Sequence, residues 1–391
     1  MTTISTPRAI AYSTAMIFLS TLGTGYFLGL FGPAITAEFD TDQTTIGMIF
    51  AISTLAAVVP MFYLGGLVDR ISLRAYTVIL FSIFSLASAT IAAAPGLIVF
   101  AVGVLFVRLL GDWLFTHAAL TASVRLLGSR RKRLAGLPAI GYALGPSLLP
   151  GLAVLLLAQL GWRQIWLLIA LSVALVVIPL FLWLLAPEQR VHANVDGARE
   201  PAKRLVIDRR VLPFLPVLMC VPLIFSGVLF HQAVWLGERG NGAAWIGWGM
   251  GLYAVAQTSA MLMSGFLVER WTSVRVVGFH AVPAAIGMTI AALGPVEINI
   301  LAYFLGGGFS TGLYFACTPH LLADLYGNER LGAARSAVQC VTLVCSAAST
   351  VAIGLWVDLG QGIEPIFIGG VAIVVATSAI ALGAFSWYRP G

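Results

Sequence analysis

The sequence predicts an all-α membrane protein with twelve transmembrane helices in two six-helix bundles, and three observations carry that reading. Of 391 residues, 59% are hydrophobic and 10% are charged, against about 25% charged in a typical soluble domain. Mean hydropathy is +0.96, and charge-free runs recur at about the 20-residue length that takes a helix across a bilayer core. The alternating ten-residue strand pattern of a membrane barrel does not occur. That leaves helices, the other structure that satisfies its own backbone hydrogen bonds in lipid.

Charge-poor windows, bounded by charges or by Gly and Pro, give the elements in order. Span 1 covers 10 to 36, between Arg8 and Glu38; span 2 covers 45 to 68, between Asp42 and Asp69. Span 3, 75 to 94, runs from Arg74 to Pro95, and span 4, 97 to 123, ends at Arg125. Span 5, 136 to 158, follows the basic run 130 to 133, and span 6, 164 to 186, follows Gly161, Trp162 and Arg163. Spans 7 to 12 lie near 213 to 236, 243 to 268, 275 to 294, 297 to 322, 333 to 357 and 364 to 387. The first bundle is therefore 1–186 and the second 213–391; the stretch 187–212, with Glu188, Arg190, Arg199 and Lys203 among its charges, is a solvated cytoplasmic linker.

The first apolar run, Ala9 to Ala37, is longer than a signal peptide's and lacks a small-residue cleavage site, so no cleavage is expected. Cys220, Cys317, Cys340 and Cys345 all fall in apolar runs and read as packing residues, not as a disulfide framework or a metal site.

An even span count puts both termini on one side, and the Lys/Arg bias decides which. Of 22 Lys and Arg residues, only Arg108, Arg163 and Arg239 lie away from the termini, the even-numbered loops and the span edges beside those loops. The termini and the linker are expected on the cytoplasmic side of an inner, or plasma, membrane. The net charge of +6 then reflects insertion topology and the anionic leaflet, not a nucleic-acid partner. A monomer in the lipid bilayer is expected.

The halves resemble each other. After span 2 the chain reads GGLVDRISLR, with Gly65, Asp69 and Arg70; after span 8 it reads SGFLVERWTSVR, with Gly265, Glu269 and Arg270 in the same order. RRKRLAGLPA after span 4 aligns with GNERLGAARSA after span 10, matching Arg133 with Arg330 and Leu134 with Leu331. Repeated six-span halves are the plan of rocking-bundle transporters, whose substrates bind near the midplane.

On these residues the chain resembles the major facilitator superfamily over essentially its whole length. GGLVDRISLR looks like that family's loop 2-3 signature, with Gly65, Asp69, Arg70 and Arg74 on matching positions. The resemblance implies a cytoplasmic gate in which Asp69 faces the start of span 11, with Arg125 a partner; Glu269, Arg270 and Arg335 are the second half's gating candidates. Within the superfamily, RRKRLAGLPAIGYALGPSLLPGLAVLLLAQLGWRQIW and LLADLYGNERLGAARS resemble the monocarboxylate and oxalate/formate carriers. GYALGPSLLPG also partly matches the span 5 signature of proton-coupled drug exporters, with Leu149, Pro150 and Gly151 where a Gly-Gly pair would close it.

Span 4 carries Arg108, Asp112 and His117 inside the apolar run FVRLLGDWLFTH. A charge at the bilayer centre costs about 2.5 to 3.5 kcal/mol on insertion scales, so such residues face a bundle interior or a pathway. Arg108 and Asp112 are four residues apart and share a helix face. On an α-helix His117 falls about 180° from Arg108, beside Trp113, and outside their cluster. A guanidinium suits a carboxylate, whose two oxygens match its fork of donors. The carboxylate carriers commonly add a span 8 arginine, whereas span 8 here offers Tyr253 and Gln257. Either Arg108 is the sole anion ligand or the solute is not a carboxylate.

Tyr26, Tyr314 and Gln339 complete the expected solute-binding set, and Asp112 and His117 are the expected proton carriers. Phe225, His231 and His280 are weaker cavity candidates. No G-x-x-x-x-G-K-[ST] loop, paired carboxylates or metal-spaced His cluster occurs, so neither ATP coupling, an enzyme, nor a cofactor is expected. The sequence thus points to a secondary transporter moving a small organic anion by alternating access, coupled to protons. A multidrug or metabolite exporter, or a transport-dead sensor on the same scaffold, are the alternatives.

Overall fold

The computed structural model describes residues 5–68, 70–127, 137–185, 209–238, 244–294 and 296–385. All regular structure among them is helical. Ten helices are long and apolar enough to cross a membrane: Gln43–Leu67, Leu73–Ala92, Leu97–Ser123, Leu137–Leu157, Trp162–Leu184, Trp245–Trp271, Ser273–Leu293, Ile298–Gly327, Ala333–Asp358 and Glu364–Ala384. These are spans 2 to 6 and 8 to 12, each within a few residues of its expected limits. Span 1 is a broken pair, Thr6–Gly23 and Gly25–Phe39, bent by 54°. At the place of span 7 stands the 16-residue helix Leu215–Phe230, followed after His231 by Gln232–Glu238. The chain divides into two compact units, Met1–Asp196 and Gly197–Gly391. Most of the expected linker lies outside the described residues.

In the first unit, rings from spans 1, 3, 4 and 6 make the core. Phe81 meets Phe115 and Phe181, each at 4.8 Å between centroids, and Tyr12 meets Phe181 edge-on at 5.2 Å. Each such pair adds about 0.5 to 1.5 kcal/mol beyond its buried area. Toward the expected outer end, Arg163 Nε donates to Glu38 at 2.7 Å and Arg163 NH1 donates to the Ala92 carbonyl at 2.9 Å. Trp162 Nε1 donates to the same carboxylate. The Gly-Trp-Arg segment thereby staples the ends of spans 1, 3 and 6.

In the second unit, span 10 sits centrally. Its Tyr303 stacks on Phe225 of span 7 at 4.8 Å and meets Phe367 of span 12 at 5.2 Å. Spans 10 and 11 are separated at Gly327, whose φ of 68° lies in the left-handed region that glycine enters without strain. Cys220 and Cys317 are buried and Cys340 is exposed; all four cysteines are free thiols.

Candidate functional site

Span 4 does not stay α-helical where its charges lie. After Leu97–Arg108 the backbone widens into a π-helix over Leu109–Phe115 and resumes as an α-helix from Thr116. A π-turn spends more residues per turn, so the half-turn expected between Arg108 and His117 does not hold. Positions 109, 110, 114, 115, 118 and 119 are buried, while 112, 113, 116 and 117 are partly exposed. His117 therefore shares a stripe with Asp112, Trp113 and Thr116. An unbroken α-helix would set His117 half a turn from Arg108; the π-stretch removes that separation.

Arg108 and Asp112 pair as their spacing predicts: Arg108 NH1 donates to Asp112 Oδ2 at 2.8 Å. Their exposures differ, with 5% of the arginine side chain and 34% of the aspartate side chain accessible. The guanidinium is buried, and the carboxylate is partly accessible. NH1 also donates to the Gly23 carbonyl at 2.8 Å, and Nε donates to Thr54 Oγ1 at 3.2 Å. The guanidinium carbon lies 4.4 Å from the centre of the Phe50 ring, a cation–π contact strengthened by desolvation. Among the described residues NH2 has no hydrogen-bond partner. A buried charge is costly unless paired and hydrogen-bonded; this arginine has its counterion and two further acceptors.

The Gly23 acceptor exists because span 1 breaks there. Thr21–Gly23 tightens to a 3-10 turn, and Thr24 is extended with φ −77° and ψ 154°, which interrupts the hydrogen-bond ladder. Discontinuous helices with freed carbonyls mark the binding regions of many secondary transporters. The break is pinned against span 4, since a Cβ on Gly23 would sit 2.6 Å from Asp112 N and 2.7 Å from the Val107 carbonyl. Across the same crossing a Cβ on Gly111 would sit 2.7 Å from Gly23 Cα, so both positions need glycine. The span 5 stretch quoted for its exporter likeness packs closely on span 1 as well, where a Cβ on Gly145 would lie 2.1 Å from Thr21 Oγ1. Small residues give helices this close approach.

His117 Nε2 hydrogen-bonds the Gly65 carbonyl at 3.1 Å, tying span 4 to the start of the loop 2-3 motif. Of the other expected gating residues, Arg70, Arg74, Glu269, Arg270 and Arg335 are exposed. Asp69 and the side chain of Arg125 lie outside the described residues. Tyr26 is half-buried just after the span 1 break.

In the second unit Tyr253 donates to Thr311 Oγ1 at 2.9 Å, and the hydroxyls of Tyr314 and Thr342 lie 2.8 Å apart. Gln257 is half-buried and Gln339 exposed. His231 is bonded to the Thr350 carbonyl at 3.0 Å, and His280 to the Val277 carbonyl at 2.7 Å. Both histidines are buried in the unit's core, as is Phe225. Among the described residues no three His, Cys, Asp or Glu side chains cluster to hold a metal.

Sequence reasoning missed Thr54, Phe50 and the Gly23 carbonyl. The first two are ordinary residues of an apolar span, with no local pattern to single them out. The third left a signal in the glycines at 23, 25, 29 and 32, a density that disfavours one continuous helix.

A broken first span with a buried ion pair opposite the break is an arrangement that recurs in membrane transporters. The chain belongs to the Major Facilitator Superfamily, whose family model matches residues 14 to 342. It is therefore a multi-pass membrane transporter and not an enzyme. Its structure is similar to that of the nucleoside transporter NupG, with a TM-score of 0.75 at 14% identity over 97% of this chain and 100% of that one. It is also similar to a bacterial homolog of the human lysosomal transporter Spinster in an inward-facing, occupied conformation. That TM-score is 0.74 at 13% identity, over 97% of this chain and 96% of that one. At such identities the likeness speaks for the fold alone. No curated protein matches the sequence.

Proposed function

We propose that this transporter is a monomeric proton-coupled carrier of a small, monocarboxylate-like organic anion, working by alternating access, with Arg108 as anion ligand and Asp112 as proton carrier. The supporting observation is the division of Arg108's donors. NH1 holds Asp112 and NH2 is unpartnered, so when Asp112 takes a proton and lets go, NH1 and NH2 together form a fork for a carboxylate. The empty site holds one positive and one negative charge. With Asp112 protonated and an anion on Arg108 it is again neutral, whereas either event alone leaves a net charge in low dielectric. One proton therefore travels with one anion.

In this reading His117 relays protons along the stripe it shares with Asp112. Tyr26, Tyr253, Gln257, Tyr314 and Gln339 are the further solute contacts. Asp69 with Arg125, and Glu269, Arg270 and Arg335, form the cytoplasmic gates. Residues 187–212 form the linker, and both termini face the cytoplasm of an inner, or plasma, membrane, on the strength of the Lys/Arg bias.

The test is uptake of labelled lactate, formate or oxalate into proteoliposomes under an imposed pH gradient. Accumulation in the wild type and its abolition in Arg108→Ala are expected; unchanged uptake in that variant would sink the site assignment. One observation favours a second reading: Asp112 is the more accessible partner of the pair, which suits a cationic solute exchanged for protons. An exporter of that kind raises cellular tolerance to lipophilic cations, and Asp112→Asn loses the protection.

A further inference from the structure

We infer that Thr54 is a positioning residue for anion capture, setting which edge of Arg108 meets the solute; this rests on the anion-carrier reading above. Thr54 is fully buried in span 2. Its hydroxyl donates to the Phe50 carbonyl at 2.8 Å, so the oxygen's remaining capacity is directed as an acceptor toward Arg108 Nε, 3.2 Å away. One residue pair on span 2 thereby sets the guanidinium twice. The Phe50 ring lies 4.4 Å from its central carbon, and the Thr54 hydroxyl anchors its Nε. With Nε held by Thr54, the side edge, which needs Nε, is committed. Only the end edge of NH1 and NH2 can pass from Asp112 to a solute. A planar fork presents two distinct edges, and a bidentate partner must be offered one of them in a fixed orientation. Thr54 touches neither the proton nor the solute in this arrangement; it acts through Arg108.

The proposal separates two nearly isosteric replacements. Thr54→Val keeps shape and burial but leaves the Nε–H without its acceptor, whereas Thr54→Ser restores the hydroxyl. Labelled lactate uptake in proteoliposomes is measured for the wild type, Thr54→Val, Thr54→Ser and Arg108→Ala, each confirmed monodisperse. Losing a hydrogen bond to a charged group is expected to raise the KM of Thr54→Val by about tenfold or more, with kcat within about twofold. Thr54→Ser keeps a wild-type KM. A purely structural role for Thr54 would lower the amount of folded protein without splitting KM from kcat. If Thr54→Val does not purify as a monodisperse species, Thr54→Ala carries the comparison. An unchanged KM in the hydroxyl-free variant, or a Thr54→Ser that fails equally, overturns the proposal and leaves the anion-carrier reading standing. A wild type that does not move lactate, with uptake of formate and oxalate also absent, removes both.

Discussion

At Arg108 a charge deep in the apolar sequence is held by groups from three helices: Gly23 from span 1, Thr54 and Phe50 from span 2, and Asp112 from its own span. A lysine could not replace it, because a single ammonium cannot bridge a carbonyl, a hydroxyl and a carboxylate in these directions while stacking on a ring. Arg108→Lys is accordingly expected to reduce anion uptake to the level of empty liposomes while the protein still purifies, as uptake and size-exclusion profiles would show. The Arg108–Asp112 pair was legible in the sequence because spacing alone decides which residues of one helix meet. Thr54 was not, since its meeting with Arg108 depends on how spans 2 and 4 cross.

Among the elements, the departures from regular helix carry most of what the sequence did not disclose. Charge-poor windows located spans 2 to 6 and 8 to 12 within a few residues, because bilayer thickness fixes helix length. They did not reveal the π-stretch Leu109–Phe115, which lengthens a turn without any change in composition, so the 180° separation of His117 from Arg108 does not hold. The Gly23–Gly111 crossing is a tight backbone approach beside the site, where an added Cβ would lie under 3 Å from backbone atoms on the other helix. Gly111→Ala is expected to cost about 1 to 3 kcal/mol through overpacking, measured as a lower melting temperature in detergent. Equal melting of the two proteins would contradict the crossing.

Asp42, the N-cap of span 2, offers a check outside the membrane. Its carboxylate accepts from Thr45 N at 2.7 Å, and hydrogen bonds from the Thr45 side chain and backbone hold it below the usual aspartate range. A depressed carboxyl stabilises the fold above its unfolded value and loses that contribution as pH falls through the folded one. Asp42→Asn keeps the cap but is expected to flatten the acid limb of a melting-temperature profile taken downward from pH 5. An acid limb as steep as the wild type's would show that this cap is not involved.

For the whole molecule, composition already announced a helical membrane protein, and the family match agrees with that reading. What composition could not give is the way charge balances at the site, since that follows from which atoms of Arg108 are engaged. The central claim is that proton and anion enter together at a site that stays neutral. It is tested most directly by measuring labelled-anion uptake in proteoliposomes with the pH gradient and the membrane potential imposed independently. The account predicts uptake driven by the pH gradient, insensitive to potential, and no longer driven by that gradient in Asp112→Asn. Uptake that follows the potential, or an Asp112→Asn protein still driven by the pH gradient, would contradict it.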